Sequence, residues 1–393
     1  MNLNHGLHLA YCTNIHRGRN WAETLQSLET HTLAVRDRVS PGRPYAIGLR
    51  LSAVAARELA EPATLLAFQR WLDRERCYVF TINGFPYGQF HGTRVKEQVY
   101  APDWTTSARL EFTNLLFDIL AQLLPQGVEG SVSTVPGSFK EFITRPEQVA
   151  EMRRRLWQCV DHIARLSEQT GHDLHLGLEP EPLCYLENTT ETVAFFAELE
   201  HDHPGDTRLH RHLGVNYDTC HLAVEFEEPR DALQRLEDHR IRISKAHLSS
   251  ALQLNPSVPA RDALRAYADD IYFHQVIERD AAGSLTRYRD LDVALDETRG
   301  ADLAGREWRI HFHVPLHSDP GHGFANTSGH IEGLLDWLKE RPGRCRHLEM
   351  ETYTWEVLPP ELKKRSVVDQ LVAEYEWTLG HLRARGLAPA IPM

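Results

Sequence analysis

Two stretches of the chain decide its fold, LHLGLEPEP (Leu174–Pro182) and LGVNYDTCH (Leu213–His221). Each begins with a short, mostly apolar run and then becomes polar, which is typical of a buried parallel strand with functional groups just past its C-terminal end. The same pattern recurs in IRISKAHL (Ile241–Leu248) and in HLEME (His347–Glu351). The sequence therefore predicts several parallel strands that each end in a carboxylate or a histidine.

Before and after these stretches, short apolar runs alternate with long amphipathic segments along most of the chain. No low-complexity linker divides the chain. This alternation is typical of repeated strand–helix–strand units. The predicted strands are Leu7–Cys12, Ala46–Leu51, Tyr78–Ile82, Gly130–Val135, Leu174–Leu178, Leu213–Tyr217, Ile241–Ala246 and His347–Met350. The predicted helices are Trp21–Val35, Thr105–Leu124, Val149–Leu166, Thr190–Leu199, Pro229–Leu236, Ile331–Lys339 and Val367–Leu382. We therefore predict an α/β fold, a (β/α)8 TIM barrel formed as one domain by residues 1–393.

The chain between the seventh and eighth predicted strands is longer than one barrel repeat requires. Within it, Tyr272–Glu278 and Leu285–Arg289 flank the turn Asp280–Gly283, which predicts a hairpin. We interpret residues 250–320 as an insertion over the barrel mouth, where barrels vary most. The alternative is that Trp308–Val314 is itself a barrel strand and that one of the eight predicted strands is wrong.

The bulk properties exclude some classes of protein. A net charge of −12 and a pI near 6.0 argue against a general nucleic-acid binder or a binder of anionic membranes. The chain has no run of 18 apolar residues and begins without a signal-peptide pattern, and its six cysteines include no CxxC pair. We expect a cytoplasmic protein with reduced thiols, a small-molecule substrate and no nucleotide cofactor, and we leave a homo-oligomer open.

Four residues at successive predicted strand ends are candidate metal ligands: Glu179, Asp218, His247 and Glu351. Taken singly, each such residue is more often a loop residue than a ligand. Strand ends of a barrel converge on one mouth, however, so four groups in this order can reach one ion. Three carboxylates and one imidazole favour Mn²⁺, Mg²⁺ or Co²⁺, with Zn²⁺ as a further candidate. We therefore predict one divalent ion.

The order Glu, Asp-x-x-His, His, Glu resembles the xylose-isomerase-like barrel superfamily, which includes sugar isomerases, ketose 3-epimerases and endonuclease IV. The segment YDTCH, which ends at His221, is the most specific part of the resemblance. The resemblance implies that the four candidate residues bind the ion and that His221 faces the substrate. In an isomerase or epimerase of this kind, Glu179 and Glu351 would exchange a carbon-bound proton through a metal-stabilised enediolate.

A narrower resemblance is carried by HLAYCTNIHRGRNW (His8–Trp21) and FTINGFPYGQFHG (Phe80–Gly92). These segments resemble the metabolite-traffic proteins of bacterial ebo gene clusters (EboE), which suggests secondary-metabolite biosynthesis or traffic. Asn83, His8 and His16 are candidates for hydrogen bonds to substrate hydroxyls. The alternative is that these three side chains cap strands.

Two other functions remain open. Endonuclease IV-like phosphoester hydrolysis needs several ions, and this chain has Asn83 and Val135 where that family would place histidines. The segment HFHVPLHSDPGHG (311–323) offers donors for a second ion or a substrate site, although a polar loop of mutually hydrogen-bonded imidazoles explains it as well. Those donors are His311, His313, His317, Asp319 and His322. The remaining alternative is a non-catalytic metabolite carrier, which fold alone does not exclude.

Overall fold

The computed structural model describes residues 1–89, 91–92, 94–321, 323–360, 362–363 and 365–390, and in them the chain forms a parallel barrel and a smaller antiparallel sheet. The seven barrel strands that come first are β1 (His8–Tyr11), β2 (Tyr45–Arg50), β3 (Cys77–Asn83), β4 (Gly130–Thr134), β5 (Leu174–Leu178), β6 (Leu213–Asp218) and β7 (Arg242–Leu248). The smaller sheet consists of β8 (Leu252–Leu254), β9 (Val276–Arg279), β10 (Leu285–Tyr288), β11 (Glu307–Ile310) and β12 (Ala325–Asn326). The last barrel strand is β13 (His347–Met350).

The eight barrel strands follow the order β1-β13-β7-β6-β5-β4-β3-β2, and neighbouring strands in this order pair in parallel. An isolated parallel bridge between Cys12 and Gly48 joins β1 to β2 and brings the ends of the sheet together. Every residue of β2 is buried, as expected of a strand with helices outside it and side chains of the bore inside it. The eight predicted strands and the TIM-barrel fold are confirmed.

Helices lie between the strands and after the last of them. They are α1 (Trp21–Ser27), α2 (Leu33–Val39), α3 (Ala53–Leu59), α4 (Pro62–Glu75), α5 (Ser107–Leu123), α6 (Pro146–Thr170), α7 (Thr189–Asp202), α8 (Arg208–His212), α9 (Thr219–Val224), α10 (Pro229–Asp238), α11 (Val258–Leu264), α12 (Leu291–Glu297), α13 (Ser328–Glu340) and α14 (Val367–Ala384). Short 3-10 turns lie at Asn4–Gly6, Thr13–Ile15, Lys96–Tyr100, Lys140–Phe142, Arg265–Tyr267 and Tyr353–Val357, and a π turn at Leu28–Thr32. None of the helices in the described part of the chain is both long enough and apolar enough to cross a membrane.

All seven predicted helices are confirmed, but the first is interrupted. The π turn divides the predicted helix Trp21–Val35 into α1 and α2. The prediction also omitted α3 and α4, which connect β2 to β3. Helix α3 has only seven residues, too few for a helical period to stand out.

The insertion between β7 and β13 forms the antiparallel sheet, in the order β10-β9-β11-β8-β12. Strands β9 and β10 pair as the predicted hairpin, with Asp280–Gly283 in its turn. The alternative assignment of Trp308–Val314 is wrong, because β11 pairs with β9 and β8 and with none of the barrel strands. The sheet also extends past residue 320, since β12 belongs to it.

Side chains of the insertion bond to segments that follow the C-terminal ends of barrel strands. Arg309 donates a hydrogen bond to the Ala223 carbonyl at 2.7 Å, and Lys96 pairs with Asp290 at 2.5 Å. Arg287 pairs with Glu187, on the loop after β5, at 2.8 Å and with Glu225, directly after α9, at 2.6 Å. These contacts hold the insertion on the side of the barrel where the candidate ligands lie. The assignment of residues 1–393 to one domain stays a prediction.

The interior of the barrel is unusually polar. Barrel bores are commonly filled by branched apolar side chains, but here Lys245 and Glu349 form an ion pair at 2.5 Å with no exposed surface on either side chain. Gly48 makes room for this pair, because a Cβ atom at Gly48 would lie 2.0 Å from Oε1 of Glu349. The polar bore leads directly to the candidate site.

Candidate metal centre

The structure brings together the four residues predicted as metal ligands. Glu179 and Glu351 directly follow β5 and β13, Asp218 ends β6, and His247 lies near the end of β7. One ligand atom from each of the four lies within 4.8 Å of the other three, and all four side chains are buried. Adjacent parallel strands carry these groups to one end of the barrel, as the sequence predicts.

His247 is the centre of this group. Its Nδ1 atom lies 3.0 Å from Oε1 of Glu179, 3.5 Å from Oδ2 of Asp218 and 3.3 Å from Oε2 of Glu351. Its Nε2 atom lies 2.9 Å from Oε2 of Glu349. Burial alone would lower the pKa of His247, but the charges of Glu351 and Glu179 raise it well above the usual value. In the protein without an ion, this imidazole is therefore protonated.

Asp218 is held by the start of the helix that follows it. Its Oδ1 atom caps α9 by accepting hydrogen bonds from the backbone N–H groups of Cys220 at 2.8 Å and His221 at 3.0 Å. The Ser249 hydroxyl donates to the same oxygen at 2.6 Å. One carboxylate oxygen is thus fixed by the fold, and Oδ2 is left facing His247.

Glu351 is held in a similar way. The side-chain amides of Asn14 and Asn83 donate hydrogen bonds to its Oε1 atom at 2.7 and 3.2 Å. Burial would raise the pKa of Glu351, but the positive charge of His247 lowers it, so the group is ionised. The predicted substrate-binding residue Asn83 thus lies at the site and also positions this carboxylate.

The donor set fits a divalent cation. The Oε2 atom of Glu179 and the Oδ2 atom of Asp218 are buried and have no hydrogen-bond partner among the described residues. A buried carboxylate oxygen without a partner is costly, and a cation would compensate it. The bond from His247 to Glu349 leaves Nδ1 as the nitrogen that faces the three carboxylates, which is the usual arrangement around a metal-binding histidine.

A second group of donors adjoins the first. The Nδ1 atom of His221 lies 3.0 Å from the Pro180 carbonyl and donates to it. The amide nitrogen of Gln275 donates to the Tyr100 hydroxyl, so its Oε1 atom accepts from Nδ1 of His311 at 2.7 Å. The two Nε2 atoms of the histidines therefore face each other at 3.1 Å, and a proton or a cation must lie between them.

In the protein without an ion, that proton belongs to His221. Burial lowers the pKa of both imidazoles. The charges of Asp218 and Glu181 nevertheless raise the pKa of His221, whereas the pKa of His311 stays well below its usual value. Glu181 accepts a hydrogen bond from the Tyr100 hydroxyl at 2.7 Å, and burial raises its pKa to about 7. Ligand atoms of Glu181, His221 and His311 lie within 4.8 Å of one another.

A narrow cavity leads to both groups. Its polar lining comes from Asn14, Asn83, Lys96, Glu179, Glu181, His221, His311 and Glu351. Its apolar and aromatic lining comes from Phe85, Pro86, Val95, Val99, Tyr100, Tyr272, Phe273 and Tyr353. A few polar groups set among aromatic walls are typical of a small-molecule site.

Some predicted site residues lie elsewhere. His8 begins β1 and therefore lies at the opposite end of the barrel, where it bonds to the Tyr78 hydroxyl at 2.8 Å. His16 is buried against Tyr11 and does not line the cavity.

The described candidates in the segment 311–323 lie partly at the site and partly away from it. His313 is buried beside the site, and its Nδ1 atom lies 3.0 Å from the Glu351 carbonyl. His317 is only partly buried, Asp319 is exposed, and neither lines the cavity. His322 lies outside the described residues. Among the described residues of the predicted second site, His311 and His313 reach the candidate site, and His317 and Asp319 do not.

Several residues of the site were missed by the sequence prediction. Glu349 and Lys245 lie two positions before Glu351 and His247 on the same strands, so they face the same side of the sheet. That spacing was a usable signal. Glu181 follows Glu179 by two positions as well, whereas Gln275 and Tyr100 reach the site only through tertiary packing.

Comparisons with known proteins agree with this fold. Neither the scan against models of known protein families nor the search of curated proteins gives a match. Among solved structures, the chain is similar to a xylose isomerase domain protein from Planctomyces limnophilus, with 15% identity, a TM-score of 0.51, and coverage of 90% of this chain and 91% of that one. It is also similar to an L-ribulose 3-epimerase, with 13% identity, a TM-score of 0.50, and coverage of 96% and 95%. The chain has a xylose isomerase-like TIM-barrel fold.

Proposed function

We propose that this protein is a divalent-metal-dependent isomerase or epimerase of a small sugar or hydroxy-ketone. The observation that carries the proposal is the pair Glu179 and Glu351, whose carboxylates flank Nδ1 of His247 at 3.0 and 3.3 Å and line one narrow cavity. The similarity of the fold to an L-ribulose 3-epimerase supports this class. From the resemblance of two segments to ebo-cluster proteins, we further propose that the reaction belongs to secondary-metabolite biosynthesis or traffic.

Glu179, Asp218, His247 and Glu351 would hold the ion. When bound, a divalent ion draws electron density from substrate oxygens and so acidifies the neighbouring C–H bond. The residues that fix its ligands are Glu349 for His247, Ser249 for Asp218, and Asn14 with Asn83 for Glu351. Loss of the His247 proton accompanies binding, because Nδ1 cannot hold a proton and a cation together.

The two glutamates supply the acid and base. Glu351 is ionised, and Glu179 has an oxygen without a hydrogen-bond partner in the described part of the chain. In our proposal one carboxylate accepts the proton from the substrate carbon, and the electron pair of that C–H bond moves toward the carbonyl oxygen. In epimerisation the other glutamate, which enters the step as the carboxylic acid, gives its proton to the opposite face of the same carbon as the electron pair returns from the oxygen. In isomerisation it gives that proton to the former carbonyl carbon, while the neighbouring hydroxyl becomes the new carbonyl and its proton passes to the former carbonyl oxygen.

His221 and Asn83 line the cavity and are proposed to orient substrate hydroxyls. Both N–H groups of the protonated His221 have partners, the Pro180 carbonyl and Nε2 of His311, so in our proposal a substrate hydroxyl takes the place of His311 as the partner of Nε2. The apolar lining excludes water, which strengthens these hydrogen bonds. Together these groups favour a small, hydroxylated substrate.

Exchange of a carbon-bound proton with solvent tests the proposal directly. The protein is loaded separately with Mn²⁺, Mg²⁺, Co²⁺ or Zn²⁺ and incubated in D2O with a panel of ketoses, aldoses and hydroxy-ketones. We expect deuterium at the carbon next to the carbonyl for at least one substrate, and no exchange after chelation. A metal-loaded protein that exchanges none of the panel but binds one of these compounds would support a metabolite carrier instead.

The second candidate is metal-dependent phosphoester hydrolysis of the endonuclease IV type. It is favoured by the facing Nε2 atoms of His221 and His311, with Glu181 beside them, because a second cation there would replace the shared proton. His313 lies close enough to contribute, in a group with Asp218 and His221. Release of phosphate or nitrophenol from phosphomonoester and phosphodiester substrates, with more than one ion bound per chain, would establish this alternative.

A further inference from the structure

The N-terminal end of the barrel bore holds a group of donors that the proposed function does not use. His175 lies in β5, His347 begins β13, and Glu129 directly precedes β4. One ligand atom from each of these residues lies within 4.8 Å of the others, and we name the three the lower histidine cluster. Because the strands are parallel, the start of each strand lies at the end of the barrel opposite the candidate metal centre.

The hydrogen bonds of His347 show which nitrogen faces the cluster. The Ser131 hydroxyl donates to the Thr81 hydroxyl at 2.7 Å, so its oxygen is left to accept from Nδ1 of His347 at 2.8 Å. The other ring nitrogen, Nε2, therefore carries a lone pair. Within the described residues that buried nitrogen has no hydrogen-bond partner.

His175 has fewer hydrogen-bond partners than His347. It is only 1% exposed, and neither of its ring nitrogens has a hydrogen-bond partner among the residues that the structure describes. Its ring centroid lies 5.4 Å from that of His347, and its Nε2 atom lies 3.4 Å from Oε2 of Glu129. Burial lowers the pKa of both imidazoles well below the usual value, so both are neutral, which is the form that binds metals.

The charged groups beside the cluster are paired with one another. Glu129 pairs with Arg242 at 2.5 Å and with Arg346 at 2.6 Å, and Arg242 also pairs with Asp173 at 3.0 Å. These two arginines and two carboxylates balance one another, and both arginines keep part of their surface in solvent. The two imidazoles in the bore are accordingly the strongest ligands available.

We propose that Glu129, His175 and His347 bind a second kind of metal ion, a structural divalent ion of the borderline class such as Zn²⁺ or Co²⁺. Two imidazoles and a carboxylate are a common donor set for such ions. The ion would join β5 and the start of β4 to β13, which lies three strands away from β5 in the barrel order. His8 lines a groove at this end of the barrel, and its ring centroid lies 6.2 Å from that of His347.

Metal counting in a set of four proteins tests this inference: wild type, His175→Leu, His247→Gln and the double variant. Each is stripped with chelator, reloaded with Co²⁺ or Zn²⁺ and analysed for metal per chain. We expect His175→Leu to lose one ion per chain, both in the wild-type and in the His247→Gln background. We also expect visible Co²⁺ absorption from the lower histidine cluster to persist in His247→Gln.

Stability gives a second readout. Zn²⁺ should raise the Tm of the His247→Gln variant by several degrees and leave that of the double variant nearly unchanged. Without metal, His175→Leu should be at least as stable as its parent, because leucine replaces an unsatisfied buried imidazole. The control is His212→Gln, a buried histidine of the same region whose Nδ1 already bonds to the Leu174 carbonyl, and it should keep the full metal count.

An unchanged ion count and Co²⁺ spectrum in His175→Leu would overturn the proposal and leave water as the partner of the two imidazoles. If His175→Leu does not fold, Ser131→Ala takes its place, since it removes the acceptor that orients His347. That variant should bind the lower ion at least about tenfold more weakly, as is usual when a partner of a ligating histidine is removed. Unchanged affinity in Ser131→Ala, with the ion also retained in Glu129→Gln, would equally refute the site.

Discussion

The Nε2 atom of His247 and the Oε2 atom of Glu349 lie 2.9 Å apart inside the barrel. The same oxygen accepts a hydrogen bond from the Lys245 ammonium at 2.5 Å. Burial alone would raise the pKa of Glu349, but Lys245 and His247 together lower it to about 2. Glu349 is thus a fixed negative charge whose position turns the other imidazole nitrogen toward Glu179, Asp218 and Glu351.

The first prediction concerns this positioning role. Glu349→Ala should weaken metal binding by roughly 10- to 100-fold, because the orientation of His247 is then set by packing alone. It should also destabilise the fold by about 3–5 kcal/mol, since Lys245 is left buried without its partner. Chelator competition gives the Kd, and urea unfolding gives the stability.

The matched control removes both charges. In the double variant Lys245→Met with Glu349→Gln, most of the stability should return, because no unpaired charge remains in the bore, while the glutamine still accepts from His247. Metal affinity in this variant should lie between that of the wild type and that of Glu349→Ala. Full affinity in Glu349→Ala would show that Glu349 has no influence on the ion.

The second prediction uses the glycine that faces Glu349. A Cβ atom at Gly48 would lie 2.0 Å from Oε1 of Glu349 and 2.7 Å from the Tyr11 carbonyl. Gly48→Ala should therefore cost about 1–3 kcal/mol by overpacking and should weaken metal binding by displacing Glu349. Gly380→Ala is the control, since it lies inside α14 with no neighbouring atom within 4 Å in the described structure. It should stabilise the protein by up to about 1 kcal/mol and leave metal affinity unchanged.

The barrel could be predicted because its signals are local. Each strand such as Leu174–Leu178 is an apolar run with polar residues directly after it, and the parallel topology then brings Glu179, Asp218, His247 and Glu351 together. The end of a buried strand can be recognised in the sequence, because an apolar run changes there to polar residues.

The interior of the site was harder to predict. Lys245 and Glu349 lie in mid-strand positions, where a barrel normally places apolar side chains. Only their spacing, two positions before His247 and Glu351, marks them in the sequence. His311 and Gln275 meet at the site only because β9 and β11 are neighbours in the inserted sheet. The position of His8 away from the candidate site has a simple cause, because a histidine at the start of a strand lies at the opposite end of the barrel from one after its end.

The third prediction concerns pH and stability. Glu374 in α14 has no exposed surface, and burial raises its pKa from 4.5 to about 7. The folded protein therefore holds this proton more tightly than the unfolded chain, so its stabilising effect is complete below pH 4.5 and is lost as the pH rises through about 7.

The variant Glu374→Gln should remove this dependence, since an amide does not titrate. The free energy of unfolding of the wild type, relative to that of Glu374→Gln, should fall by on the order of 3 kcal/mol across that range. Urea unfolding at a series of pH values measures the difference. Parallel stability curves for the two proteins between pH 4 and 8 would mean that Glu374 ionises normally in the fold.

The last prediction separates proton transfer from substrate binding. Glu179→Gln keeps the shape of the side chain but cannot accept a proton, so deuterium exchange should fall by at least about 100-fold, the usual contribution of a general base. His221→Asn should instead raise KM while nearly preserving the ion, because His221 lies outside the four-residue group and bonds to the Pro180 carbonyl and to His311. Elemental analysis and substrate titration of both variants give the comparison. Loss of the ion in His221→Asn would place this histidine among the ligands of the metal, and normal exchange in Glu179→Gln would assign the base to Glu351 alone.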